Sequence, residues 1–337
     1  LHWRICLLSC QEQVMKNPSP TPYPSELITL ARNISCNFVD VRTTTKDYVG
    51  TIAIKNSDQY KPDKGCNQFL LSTCLRYEIY DCNNTQKPID SLFRVKGVTC
   101  IRRILSILTG LQSEIIGERE IFIQTVQAID KSQELGNLSK ETLDGLQKLI
   151  SLSEQIRIDT GINSNENYST IAADILIEHL SSTQANATVA IVGGGYMAEK
   201  FFSSLLQTKF VNIKKLFWIN RSVTKVEKRI TQLIDLLDID IEVLDLEDGK
   251  YALGEADAIF CALSNSPKYY KDVSYKEAAF VVDVSYPQVF AEQENIKFIS
   301  VSNTYFDRLI KNPTPRSHVA HANKEIDAVI DFLNQNL

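Results

Sequence analysis

Thr188-Val189-Ala190-Ile191-Val192 runs straight into Gly193-Gly194-Gly195-Tyr196-Met197-Ala198. The first five residues are β-branched or apolar without polar alternation, the pattern of a parallel strand covered on both faces. The chain then reads Gly193-x-Gly195-x-x-Ala198, and helix-like sequence follows from Met197 to Leu206. The first glycine lets the chain turn, the second lets backbone approach a pyrophosphate, and the small third residue permits close helix–strand packing. The helix start adds free N–H groups and a partial positive charge. Gly193, Gly194, Gly195, Tyr196, Met197 and Ala198 are therefore the predicted phosphate cradle of a dinucleotide, with a glycine turn that holds no ligand as the plainer reading.

Outward from this unit, four more strand-like runs follow at α/β spacing: Leu216-Phe217-Trp218-Ile219, Ile241-Glu242-Val243-Leu244, Ala258-Ile259-Phe260-Cys261 and Phe280-Val281-Val282-Asp283-Val284. Strands alternating with helices describe a doubly wound, Rossmann-type domain. The second strand ends at Asn220-Arg221-Ser222. Folds that bind NAD place Asp or Glu about 20 residues past the glycines to hold the ribose 2′-OH. A carboxylate would repel a 2′-phosphate, whereas an arginine fork and a hydroxyl would hold one. Asn220, Arg221 and Ser222 thus point to NADPH; the alternative is that Arg221 only solvates a strand end. Cys261 reads as structural.

Before the glycines the pattern is mixed. Phe38-Val39-Asp40-Val41 and Val49-Gly50-Thr51-Ile52-Ala53-Ile54 are β-like, and Phe69-Leu70-Leu71-Ser72 is a short apolar run that stops at Thr73 and Cys74. Such an end puts those side chains at a sheet edge or loop, where function tends to sit. Residues 98–134 carry apolar positions at helical spacing, interrupted by Gly110 and Gly117, and 141–158 continue as an amphipathic helix. After Asn312-Pro313-Thr314-Pro315 comes a final polar helix over 319–334. Pro18, Pro20, Pro22 and Pro24 make residues 1–25 a leader, part of it extended or linker-like.

Composition narrows the class. With 337 residues the chain suits two domains plus a linker. It is 44% apolar and 23% charged, as soluble globular proteins are. A net charge of -5 supplies no global field for nucleic acid, so any such contact needs a local basic surface. No apolar run reaches the roughly 18 residues of a membrane span. The eight cysteines, at 6, 10, 36, 66, 74, 82, 100 and 261, include no CxxC pair and no zinc spacing. Scattered thiols fit a reducing cytoplasm, and no metal site is expected.

A more specific resemblance begins at Leu71-Ser72-Thr73-Cys74-Leu75-Arg76-Tyr77-Glu78-Ile79-Tyr80, which is similar to the LSTCNRTEIY signature of the glutamyl-tRNA reductase family, with Leu75 and Tyr77 as departures. Gly110-Leu111-Gln112-Ser113-Glu114-Ile115-Ile116-Gly117-Glu118 resembles its GLDSMVLGE segment, extended by Glu120, Ile121 and Gln124. Arg157-x-x-Thr160-Gly161-Ile162 is similar to the end of VRTETGI, with Ser169 and Ala172 following, and Asn220-Arg221-Ser222 and Val282 to Pro287 resemble the NRT and IDLAVPR segments. The matches keep family order and cover residues from about 38 to 325.

The resemblance implies an enzyme of α/β class. An N-terminal α+β catalytic domain (26–155) would precede a Rossmann-type NADPH-binding domain (156–312), with a C-terminal helix (313–337) at the end. It makes Cys74 the nucleophile that attacks the aminoacyl ester of glutamyl-tRNA(Glu), leaving a thioester that hydride reduces to glutamate 1-semialdehyde, for tetrapyrrole synthesis. A thioester accepts hydride better than an ester because sulfur donates weakly to the carbonyl. By the same resemblance Arg76 pairs with the glutamate side-chain carboxylate, Thr73 and Ser113 hydrogen-bond the amino-acid part, and Glu118 and Gln124 complete the substrate site. Arg76 also suits an internal ion pair with Glu78 or Glu118, and Cys74 taken alone reads as a small buried residue. Handover of the reactive aldehyde to glutamate 1-semialdehyde aminomutase is the implied partnership.

Three departures stand out. Where the family carries a histidine before the GLDS segment this chain has Arg103, which cannot shuttle a proton but can stabilise an oxyanion or bind the tRNA 3′ end. Leu75 replaces the polar residue after the cysteine, and the chain stops after residues 319–337, so the family's usual dimer is not expected. Two other readings stay open: a tRNA-binding or regulatory relative with impaired catalysis, and an NADP-dependent dehydrogenase of a small acid. The second leaves Ser72–Arg76 and Gly110–Glu118 unexplained.

Overall fold

Side-chain alternation sets the first sheet. The computed structural model describes residues 23–40, 42–44, 49, 52, 64–73, 75–85, 88–90, 92–183, 186–207, 213–234, 239–263, 270, 273–285, 288–301 and 306–337. Helix α1 (Ser25–Asn33) leads into β1 (Ser35–Asp40), which pairs antiparallel with β3 (Arg76–Asp81) and β4 (Phe93–Lys96); β2 (Gln68–Thr73) pairs with β3. The order is β2-β3-β1-β4. Odd and even positions of a strand face opposite ways. Phe38 and Tyr80 accordingly join the core under the helices, whereas Val39, Tyr77 and Ile79 pack on the other face with Val49 and Ile52.

Val49 and Ile52 are themselves helical, so the strand predicted over 49–54 is corrected at those two residues. The other four lie outside the described residues. A spacing of three puts both side chains on one helical face, and burying that face against the sheet overrides β-branched propensity. Val41, Cys74, residues 1–22 of the expected leader, and Tyr286 and Pro287 also lie outside the described residues.

The helices over this sheet are α2 (Gly97–Leu108), α3 (Glu120–Glu134) and α4 (Lys140–Thr160). Ser139 caps α4 by accepting from the Thr142 N–H at 3.2 Å, and Gly161 ends it with φ +65°, a left-handed stop. The last helix, α9 (Arg316–Asn336), returns to this same core. Its predicted polar surface is only one side: Ala322, Ile326, Val329, Ile330 and Leu333 are buried among residues of α1, α2 and α4.

Between these lies a parallel sheet, β5 (Ala187–Val192), β6 (Ile213–Ile219), β7 (Asp240–Leu244), β8 (Ala258–Cys261), β9 (Phe280–Asp283) and β10 (Lys297–Ser300), in the order β10-β9-β8-β5-β6-β7. Every pairing in it is parallel. Helices α5 (Tyr168–Thr183), α6 (Tyr196–Leu206), α7 (Val223–Ile234) and α8 (Gly249–Glu255) alternate with or precede the strands. The expected α/β class, a mixed first unit and a doubly wound second one, is what forms. Strand order reverses between β5 and β8, and ligands of such sheets sit outside the carboxyl ends at that point.

Candidate active site

The Gly193 loop leaves β5 at this crossover. Gly193 adopts φ +122°, and a Cβ there would fall 2.5 Å from the Ala262 carbonyl oxygen. Trp218 Nε1 donates to the Gly193 carbonyl at 2.7 Å, and the Gly193 N–H donates to Ile219 O at 2.9 Å. The turn is thus pinned from both neighbouring strands. Gly195 stands at the start of α6 with no side-chain cap, and nothing lies within 4 Å of where its Cβ would be. Uncapped N–H groups over open space at a helix start fit a dinucleotide pyrophosphate. Arg221 and Ser222 are exposed at the end of β6, and the Asn220 Nδ2 donates to Ser222 O at 3.1 Å, bracing that corner.

A cleft that includes Met197 of this loop lies beside it. The register of β2 on β3 sets Thr73 opposite Arg76. Those two residues, with Leu75, line this small cleft together with Ser113, Glu118, Glu120, Ile121, Gln124, Tyr168 and Met197. Thr73, Arg76, Ser113, Glu118 and Gln124, scattered over the first half of the sequence, therefore meet in one place, and Met197 of the predicted cofactor loop joins them. Glu120 and Tyr168 were not assigned to the site from sequence. Glu120 stood beside Glu118 in a quoted motif, but nothing local marked Tyr168. Its hydroxyl donates to Glu114 at 2.9 Å, and its ring meets Phe306.

Glycines shape the Ser113–Glu118 turn. Gly110 (φ +77°) and Gly117 (φ +85°) touch, since a Cβ on Gly110 would lie 2.9 Å from Gly117 Cα. Arg157, buried on α4, ties the turn down by donating to Leu108 O at 3.1 Å, Gly117 O at 2.7 Å and Glu118 O at 3.0 Å. Burial, with Arg119 close by, lowers its pKa to about 10. Arg76 donates to Gln112 O at 2.9 Å and Arg42 to Ser113 O at 3.3 Å, so two further cations steady the same turn.

Arg76 is itself 4% exposed and pairs with Glu78 at 3.2 Å, one of the two internal partners left open from sequence. Arg103 is not among the residues lining the cleft. Its guanidinium lies over Phe38, 3.5 Å from the ring centroid, and it bonds Glu78 and Asp40. Burial opposes its charge, but the two carboxylates and Tyr80 outweigh burial and push its pKa up. The same pairing holds Asp40 below the usual carboxylate range despite burial. Leu75 is 7% exposed and packs with Ile115 and residues of α5, so the apolar departure after Cys74 bridges the end of β2 and the second unit.

Glu118 is the anomalous acid. Burial first, and then the neighbouring Glu120, push its pKa up to about 8 against the pull of Ser113, Arg76 and Arg157. Its Oε2 and the Ser113 Oγ are both buried without a hydrogen-bond partner, so Ser113 acts on it by proximity rather than by a formed bond. Glu120 is raised as well, chiefly by burial. Cys261 is fully buried against Ser285 Oγ at 3.1 Å, a structural placement. Among the described residues no group of three or more His, Cys, Asp or Glu could hold a metal, and no helix is long and apolar enough to cross a membrane.

The chain is similar in sequence to known proteins. The family model for the glutamyl-tRNA(Glu) reductase N-terminal domain matches residues 51–160, and that for shikimate/quinate 5-dehydrogenase matches residues 175–304. Glutamyl-tRNA reductase of Methanocella arvoryzae is 24% identical over 279 residues, covering 78% of this chain and 63% of its own length. That of Methanococcus maripaludis is 26% identical over 297 residues, covering 84% and 72%. The chain thus spans under two thirds of the Methanocella protein. The solved glutamyl-tRNA reductase from Methanopyrus kandleri aligns with a TM-score of 0.43 at 16% identity, over 90% of this chain and 80% of that one. In its N-terminal domain, in the nucleotide-binding domain that follows and in their order, the chain is thus similar to the glutamyl-tRNA reductases.

Proposed function

We propose that the chain reduces glutamyl-tRNA(Glu) to glutamate 1-semialdehyde with NADPH, through a thioester on Cys74. The observation that carries this reading is the convergence of Thr73, Arg76, Ser113, Glu118 and Gln124 with Met197 in one cleft. A site that joins an aminoacyl ester to a hydride donor needs substrate-holding groups facing the cofactor loop. Cys74 lies in sequence between Thr73 and Leu75, both of which line that cleft.

Arg76 is the cation for the glutamyl side-chain carboxylate. Its Nη1 is held by Glu78 and its Nη2 by Gln112 O, which orients the planar fork before substrate arrives. Thr73 and Ser113 hydrogen-bond the amino-acid part, and the unpaired Ser113 Oγ leaves that bond to be made. Gly193 to Ala198 and Asn220, Arg221 and Ser222 are the residues that would hold NADPH, the first set at its pyrophosphate and the second at its 2′-phosphate. Bound there, the cofactor supplies hydride. Arg103 acts in this scheme through Glu78, as a positioning residue for Arg76.

A single-turnover assay tests the reading, with tRNA charged with labelled glutamate, NADPH or NADH, and wild type beside Cys74→Ser. Semialdehyde formed by wild type with NADPH and lost in the variant supports it. Binding of charged tRNA with neither deacylation nor reduction would replace it with a binding-protein reading.

A further inference from the structure

Of the described side chains that line the cleft, Glu118 and Glu120 are the two carboxyl groups, and burial raises the proton affinity of both. The two differ in surroundings. Glu118 is 6% exposed, makes no ion pair among the described residues, and has Oε2 buried and unpaired. The charges around it come from Arg76 on β3, Arg157 on α4 and Glu120 at the start of α3. The two Nη groups of Arg157 go to the Leu108, Gly117 and Glu118 backbone carbonyls and those of Arg76 to Glu78 and Gln112, and neither arginine closes a salt bridge on the Glu118 carboxylate. A buried carboxyl with no ion pair rests as the neutral acid, and a neutral acid has a proton to give.

We infer that Glu118 is the catalytic general acid of the acyl-transfer step, delivering its proton to the ribose oxygen as tRNA departs. The inference rests on the reductase reading of the cleft. The Cys74 thiolate forms the C–S bond with the glutamyl carbonyl carbon. The C–O bond to the ribose breaks with its electron pair on oxygen, and that oxygen takes the Glu118 proton. Thioester, free tRNA and the Glu118 carboxylate result, and no oxidant is involved. After hydride transfer, collapse of the resulting oxyanion returns the thiolate, so the one proton that the whole reaction consumes enters from solvent by re-protonation of Glu118. Arg76 and Arg157, near its side chain but not bonded to it, stabilise the carboxylate in the interval. The unpaired Ser113 Oγ sits beside the same exchange.

The test is the pH profile of single-turnover deacylation of glutamyl-tRNA by wild type, Glu118→Gln and Glu120→Gln, with infrared spectra of each protein. Wild type should lose rate as pH rises beyond neutrality. Glu118→Gln should be slower at pH 7 by roughly 10²-fold or more and should lack that descending limb. Glu120→Gln should keep the limb. Wild type should also show the carbonyl band of a protonated carboxylic acid at pH 7, fading on alkaline titration. If the limb disappears in Glu120→Gln instead, or Glu118→Gln keeps the wild-type rate and profile, the assignment to Glu118 is wrong while the reductase reading stands. A wild-type protein without the acid band at pH 7 overturns it even where the variant fails to fold. A wild type that never deacylates charged tRNA takes down the reductase reading and this step together.

Discussion

Arg103 and Glu78 meet as a fork: Nη2 donates to Oε1 at 2.8 Å and Nε to Oε2 at 3.2 Å. The same Oε1 accepts from Arg76 at 3.2 Å, so one fully buried carboxylate links the helix α2 to the cleft arginine. The β1–β3 register explains the meeting. It sets Phe38 opposite Glu78 and Asp40 opposite Arg76, on the face that α2 covers.

Removing Arg103 should therefore take the ion partner from buried Asp40 and one of two cations from buried Glu78. Arg103→Ala is expected to destabilise the fold by about 3–5 kcal/mol, read as a lower urea midpoint with the slope unchanged. Arg103→Lys should recover only part of the loss, because an ammonium cannot reproduce the fork. A loss for Arg103→Ala below about 1 kcal/mol would show the network to be incidental.

The two outer glycines of the cradle should separate fold from ligand binding. Gly193→Ala drives a Cβ into the Ala262 carbonyl at positive φ and should destabilise the fold. Gly195→Ala meets nothing within 4 Å and sits at φ -92°, so its stability should stay within about 0.5 kcal/mol of wild type. Its NADPH affinity should fall roughly tenfold or more as the methyl occupies the pyrophosphate path. Equal NADPH affinity in Gly195→Ala, measured by fluorescence titration, would move the phosphates elsewhere.

Arg221 is exposed at the β6 corner, where only a 2′-phosphate distinguishes the two nicotinamide cofactors. Arg221→Ala should weaken NADPH by roughly 10- to 100-fold, the range of one charge-assisted hydrogen bond. NADH binding should hardly change. Parallel losses for both cofactors would assign Arg221 to the fold or the pyrophosphate instead.

Glu118 should leave a mark on stability as well as on rate. Its folded pKa of about 8 lies above its ordinary 4.5, so between those values the folded chain keeps a proton that the unfolded chain has released. Folded protein binding the extra proton means stability falls as pH rises through that window and levels off above it. The slope is at most about 1.4 kcal/mol per pH unit from this one group. Glu118→Gln should flatten the Tm–pH curve between about pH 5 and 8. An unchanged slope in the variant would mean that Glu118 is ionised in the folded protein.

Much of the architecture is local and was legible for that reason. Thr188 to Ala198 carries strand, turn and helix start within eleven consecutive residues, and each is dictated by neighbours along the chain. The strand β3 was harder to see. Its Arg76, Glu78 and Tyr80 alternate with Tyr77 and Ile79, so the polar side reads as solvent-facing, yet all six residues are buried. That side is buried because Arg103, itself held by Asp40, neutralises and bonds Glu78, and no property of residues 76–81 announces those partners.

Sequence by itself determined the α/β class and the glycine turn after β5, since residue type and spacing carry them, and a resemblance named the groups proposed to work on an acyl ester. Tertiary structure alone decided which of them meet. It gathered five separated residues and Met197 in one cleft and turned Arg103 toward Glu78. It also brought α9 back onto the first core, because an apolar stripe at Ile326, Val329 and Leu333 states that a face must be buried but not against what. The neutral acid at Glu118 is of the same kind. Its proton affinity is set by water exclusion and by charges on other elements, quantities that exist only once the chain has folded.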